Sequence, residues 1–128
     1  MNKERIKLTD SILDVMYKMS EGNPGGLTVL AEIVKNGATI DPYIGEPLFQ
    51  ILQFDSLGIY GSRIWMLYKD VCNHNLSKTL GCVRAWQMGI ITRDTLNYAI
   101  DNRGAGLDLA SVLTQLKIEL PNFKVVDE

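Results

Sequence analysis

The chain carries two cysteines, Cys72 and Cys82, and a single histidine, His74, two positions beyond the first of them. A thiol and an imidazole this close in sequence could form a nucleophile and its base. The i, i+2 spacing at a helix end does not by itself bring the two side chains together, and Cys72 falls on the apolar side of its helix, where a free cysteine behaves as a small hydrophobe. Cys72, His74 and Cys82 also lack the fourth ligand and the paired spacing of a structural zinc site. Asp10 and Asp14 share one helix face without basic or glycine-rich companions, which is the pattern of a solvated face. There is no Walker loop, GxGxxG, GxSxG or HExxH. No catalytic residue, metal or cofactor is therefore assigned, and an enzymatic role is disfavoured.

Two helix entrances offer more. At residues 23–26 and 58–63 the sequence combines glycines, exposed backbone N–H groups and a helix N-terminus, an arrangement that can receive a carboxylate or phosphate. In the second, Gly58 and Gly61 bracket Ile59 and Tyr60 in a tight turn where positive φ is expected. Ser62 stands where an N-cap would, and Arg63 can add a charge-assisted contact. The expected ligand-binding set is Gly58, Tyr60, Gly61, Ser62 and Arg63, with Arg84 and Arg103 assisting. The plain alternative is that these glycines serve only the turns. A partial helix-turn-helix pattern in NHNLSKTLGCVRAWQMGI fails at Ser77 and Gln87, so residues 77–88 read instead as one core helix with Arg84 in solvent.

The surrounding elements follow from composition and periodicity. With 128 residues, 46% of them hydrophobic and 22% charged, the chain fits one globular domain spanning 1–128. Residues 1–8 and 122–128 are expected to be flexible. The formal net charge of -2 gives no footprint for duplex nucleic acid or an anionic membrane. No apolar run reaches the length of a membrane span, and MNKERIKLTD contains no export signal, so a cytoplasmic protein with reduced thiols is expected.

Cap and stop signals divide the chain into six or seven short helices, an all-α single-domain bundle. Thr9 or Asp10 caps the first helix. Asn23-Pro24 opens the second, which is expected to stop at Asn36-Gly37. A strongly apolar third helix, with Leu48, Phe49, Ile51, Leu52 and Phe54, starts near Glu46-Pro47. The stretch DSLGIYGSRIWMLYKDVC, residues 55–72, reads as the hub, with Ile64, Trp65, Tyr68, Val71 and Cys72 facing inward. Met66 and Leu67 then lie on what should be its polar face, so they are expected to form a contact between copies in a homo-oligomer. Ser77, Thr92 and Asp108 are the expected caps of the last three helices, and Pro121 ends the final one.

The runs EGNPGGLTVLAEI (21–33), LGIYGSRIWMLYKDVC (57–72) and VRAWQMGII (83–91) resemble small proteins encoded by phages and prophages, a family without an assigned activity. The resemblance implies a non-enzymatic accessory role exercised by binding. It brings two candidate partners: a small anionic ligand such as a nucleotide used in bacterial immune signalling, or a host protein. It carries no catalytic residue across.

Overall fold

The computed structural model describes residues 9–126, and within them the chain forms an all-α bundle of seven α-helices. They are α1 (Asp10–Ser20), α2 (Pro24–Ile40), α3 (Pro47–Leu57), α4 (Ser62–Met66), α5 (Leu76–Gln87), α6 (Arg93–Asp101) and α7 (Leu109–Glu119); a single π-helical turn, Leu67–Val71, extends α4. The expectation for residues 1–8 lies outside the described residues. Among the described residues no helix is long and apolar enough to cross a membrane.

Local chemistry sets most of the helix starts. Thr9, Asn23, Thr92 and Asp108 each accept a backbone N–H through a side-chain oxygen, satisfying donors that the first helical turn leaves open. Two expected caps are displaced. Ser62 is already inside α4, whose N-cap is Gly61 with no side-chain bond. Asn75 rather than Ser77 caps α5, accepting from the Lys78 N–H at 3.0 Å. Ser77 is buried, and its hydroxyl donates to the Asn75 carboxamide oxygen at 2.6 Å.

The centre of the bundle is α2, which packs against α1, α3, α4 and α5. Its Val29, Leu30, Ile33 and Val34 are buried among Ile51, Phe54, Ile64 and Leu67. The helix runs past Asn36-Gly37 to Ile40 because Gly37 acts as a packing contact: a Cβ there would stand 2.5 Å from the Gln50 side-chain oxygen. On α3 the expected apolar helix is turned differently, with Phe49 52% exposed and Gln50 buried, its amide donating to the Asp41 carbonyl at 3.3 Å.

The glycines of the two entrances pack against each other. A Cβ on Gly26 would meet the Gly61 carbonyl oxygen at 2.7 Å, and one on Gly25 would meet the Trp65 ring at 2.5 Å. Replacing Gly26 with alanine presses on a backbone atom that no rotamer change can move, so a loss of about 1–3 kcal/mol is expected. Thermal melts would read this as about 4 °C per kcal/mol for a domain of this size. A wild-type Tm would show that α2 and α4 can separate without cost.

The hub stretch is covered by α2, α5 and α6, as a helix apolar on more than one face requires. Its inner residues are Ile64, Leu67 and Cys72, while Trp65, Met66, Tyr68 and Val71 are half-buried. Leu67 is therefore core, and it cannot share an oligomer surface with Met66. The π-turn explains the change of phase: the Cys72 N–H donates to the Leu67 carbonyl at 3.0 Å, so one extra residue moves Cys72 into the place that an α-helix would give Val71.

Candidate functional site

At the entrance formed by residues 58–63 both glycines take positive φ, 72° at Gly58 and 56° at Gly61. Four of its backbone donors, however, are already used. Gly58 and Ile59 close the end of α3, the buried Gly61 donates to the Met19 carbonyl at 2.7 Å, and the Arg63 N–H donates to the Tyr60 carbonyl. Acidic groups surround it as well. A Cβ on Gly61 would meet the Glu21 carboxylate, and the Tyr60 hydroxyl donates to Asp55. That bond holds the Tyr60 phenol above its ordinary range, with burial and the charges of Asp55 and Glu21 adding to it. The Arg63 guanidinium is engaged by Asp101 and Asn97 on α6. Ser62 is exposed at the first helical position. This joint carries helix packing and offers little to an anion.

Of the two assisting arginines, Arg84 is engaged by another partner. Arg84 Nε lies 3.1 Å from the Asp41 carboxylate, which is 1% exposed, so the residue expected in solvent forms a buried ion pair. Arg103 is exposed at a left-handed residue in the loop after α6. Gly81 lies inside the unbroken α5, the single helix expected here, where a Cβ would meet Leu113 at 2.6 Å.

The π-turn builds a different site. It ends in two consecutive non-glycine residues with left-handed backbone, Asn73 at φ 53° and His74 at φ 60°. Asparagine tolerates this conformation and histidine adopts it less readily. The His74 N–H donates to the Tyr68 carbonyl at 2.8 Å. The imidazole then stands nearly edge-on to Tyr68 and Trp65, at ring-centroid distances of 5.5 and 5.7 Å. Those two rings lie side by side at 5.7 Å, and the Trp65 ring abuts Gly25 of α2.

His74 forms one wall of a cleft of about 320 Å³ between α2 and the start of α5. Glu32, Asn36, Asn75 and Ser77 supply its other polar groups, and Ile40, Leu76 and Val126 its apolar side. Asn36 donates its amide to the Glu32 carboxylate at 3.2 Å. Burial raises the Tyr68 hydroxyl above its ordinary pKa, and the Glu32 charge adds to the shift. The described tail, part of the segment expected to be flexible, completes the cleft: the Asn75 amide donates to the Val126 carbonyl at 2.6 Å, and the Val126 N–H donates to the Ser77 hydroxyl at 2.9 Å.

Neither protein-family models, nor curated proteins, nor solved structures match this chain.

The thiols are set apart from this cleft. Cys72 and Cys82 are both fully buried with their sulfurs 3.7 Å apart, so Cys72 Sγ faces the other cysteine. The hydrogen bond between them and the burial push the Cys82 thiol well above its ordinary range. Among the described residues no three His, Cys, Asp or Glu side chains are grouped to hold a metal. Asp14 is paired with Lys18 on an exposed face.

Sequence reasoning treated His74 only as a partner for Cys72 and passed over Glu32 and Asn36. The one available signal was the run Asn73-His74-Asn75, whose residue types tolerate left-handed backbone directly after an apolar helix.

Proposed function

We propose that this protein is a non-enzymatic binding module whose ligand seat is the cleft beside the π-turn. One observation carries the reading: a π-turn followed by two left-handed residues holds the chain's single histidine against two aromatic rings at the wall of a cleft. π-turns and backbone held in sparsely populated regions concentrate where function outweighs local stability. A role as an accessory protein encoded by a phage accords with such a module, its ligand being a host molecule of small size or a side chain of a host protein. The cleft has a volume of about 320 Å³, and its Glu32 carboxylate, with one hydrogen bond from Asn36, keeps acceptor capacity for a ligand.

The test is native mass spectrometry of the gently purified protein beside its His74→Ala and Arg63→Ala variants. A bound species is expected on the wild type and on Arg63→Ala, and is expected to be depleted about tenfold or more on His74→Ala. Because His74 is exposed, that variant should keep its melting temperature within a few degrees. A species retained by His74→Ala and lost by Arg63→Ala would move the seat to the other entrance and defeat the reading.

A further inference from the structure

We propose that the cleft beside the π-turn is built for a primary alkylammonium group, with Glu32 as its counter-charge; this rests on the reading of the cleft as the ligand seat. Among the described residues the lining holds one carboxylate, Glu32, one histidine, His74, and neither lysine nor arginine. Among the described residues Glu32 has no ion-pair partner, its hydrogen bond coming from the neutral Asn36. A carboxylate whose one hydrogen bond comes from a neutral amide keeps acceptor capacity for a charge-assisted bond to a cation.

The division of donors and acceptors points the same way. The Asn75 amide donates to the Val126 carbonyl, and the Ser77 hydroxyl donates to the Asn75 side-chain oxygen. A carboxylate retains acceptor capacity after one bond, and the side-chain oxygen of Asn36 is an acceptor. Around Glu32 the cleft therefore presents acceptors that a ligand bringing donors can satisfy. An ammonium supplies three donors and a positive charge in one small group. Ile40, Leu76 and Val126 then cover the alkyl chain that carries it, and a volume of about 320 Å³ suits a short chain. Anions meet the opposite situation at Glu32: a like charge, with neither lysine nor arginine among the described lining residues to offset it. This ammonium chemistry has two sources, a free aliphatic diamine or the lysine side chain of a protein partner.

The experiment follows the ring signals of His74, which are unique in the spectrum because the chain has one histidine. The full chain is titrated at neutral pH with 1,4-diaminobutane, with a lysine blocked by acetylation at Nα and amidation at its carboxyl so that only the Nζ ammonium is free, and with butyrate and butanol as the anionic and uncharged counterparts. Saturable shifts of the His74 ring with either amine, and binding weakened about tenfold or more in Glu32→Gln, are expected. Tighter binding of the diamine would assign the site to a free amine, and tighter binding of the capped lysine to a protein partner. Glu32 is partly exposed, so Glu32→Gln should fold normally, and its melting curve verifies this. If butyrate or butanol shifts the ring as strongly as the amines, or Glu32→Gln binds amines like the wild type, the ammonium assignment fails while the cleft stands as a seat. If none of the four probes moves the ring, both the assignment and the seat fall.

Discussion

Replacing Arg84 with methionine is expected to cost about 3–5 kcal/mol of stability at neutral pH, the usual result of stripping one partner from a buried ion pair. Methionine retains much of the apolar stem, so the loss isolates the charge. Asp41, left behind, is 1% exposed. Its carboxylate would hold only neutral donors, among them the Tyr43 N–H at 3.1 Å. The pH dependence gives the effect a signature. In the wild type, burial already raises the Asp41 pKa above its ordinary value, against the lowering influence of Arg84 and of the Tyr43 and Ile44 backbone N–H groups. Without Arg84 that pKa rises further. A carboxyl group whose folded pKa lies above its unfolded one favours the fold when protonated, and this contribution is lost as pH rises through the folded value. The deficit of Arg84→Met should therefore be small near pH 4, below or close to the ordinary carboxyl range, and reach its full size at neutral pH. Denaturant melts of both proteins at the two pH values measure it. Adding Asp41→Asn to the variant removes the stranded charge and should recover most of the loss at neutral pH. A deficit of equal size at both pH values would show that Arg84 acts through packing, and the charge argument would fail.

The same pair marks the limit of what the sequence discloses. Asp41-Pro42 reads as a turn and Arg84 as a surface charge, and each reading is locally sound. Only the packing of α5 over the end of α2 brings them together, and no spacing rule reports a contact between residues so far apart in sequence. The caps at Thr9, Asn23, Thr92 and Asp108 were legible because each involves a side chain and a backbone N–H within one helical turn. Positive φ at Gly58 and Gly61 was legible for the same reason. Gly37 misled, since a glycine that stops a helix and one that admits a neighbouring helix look identical in sequence. In the hub Ile64, Leu67 and Cys72 are buried, and Leu67, three residues after Ile64, lies on an ordinary inward stripe; centring that stripe on Trp65 and Tyr68 puts it outside. The π-turn beyond it has no signature that a constant helical period registers, so the His74 cleft had no motif to announce it.

Replacing Phe123 with alanine is expected to destabilise the whole domain by about 3–5 kcal/mol, as truncating a buried phenylalanine does in a well-packed core. The residue lies in a tail that composition marks as flexible, yet its ring is fully buried. It packs beside the bare Gly81 position, where Leu113 and Leu116 of α7 also converge. The backbone around it is fastened at three places: Lys117 Nζ donates to the Phe123 carbonyl at 3.0 Å, the Lys124 N–H donates to the Ile40 carbonyl at 2.9 Å, and Val126 is bonded to Asn75 and Ser77. Removing the ring thus opens a cavity between α5 and α7 and loosens the strand of chain that ties both to α2. At about 4 °C per kcal/mol the melting temperature should fall by roughly 12–20 °C. Hydrogen exchange should show protection lost at Lys124 and Val126 before it is lost in α2. Since Val126 walls the cleft, the His74 ring signals should shift in the same variant even below its melting temperature. A Tm within a few degrees of the wild type, together with exchange confined to the tail, would make the segment a local appendage and disconnect it from both the core and the site.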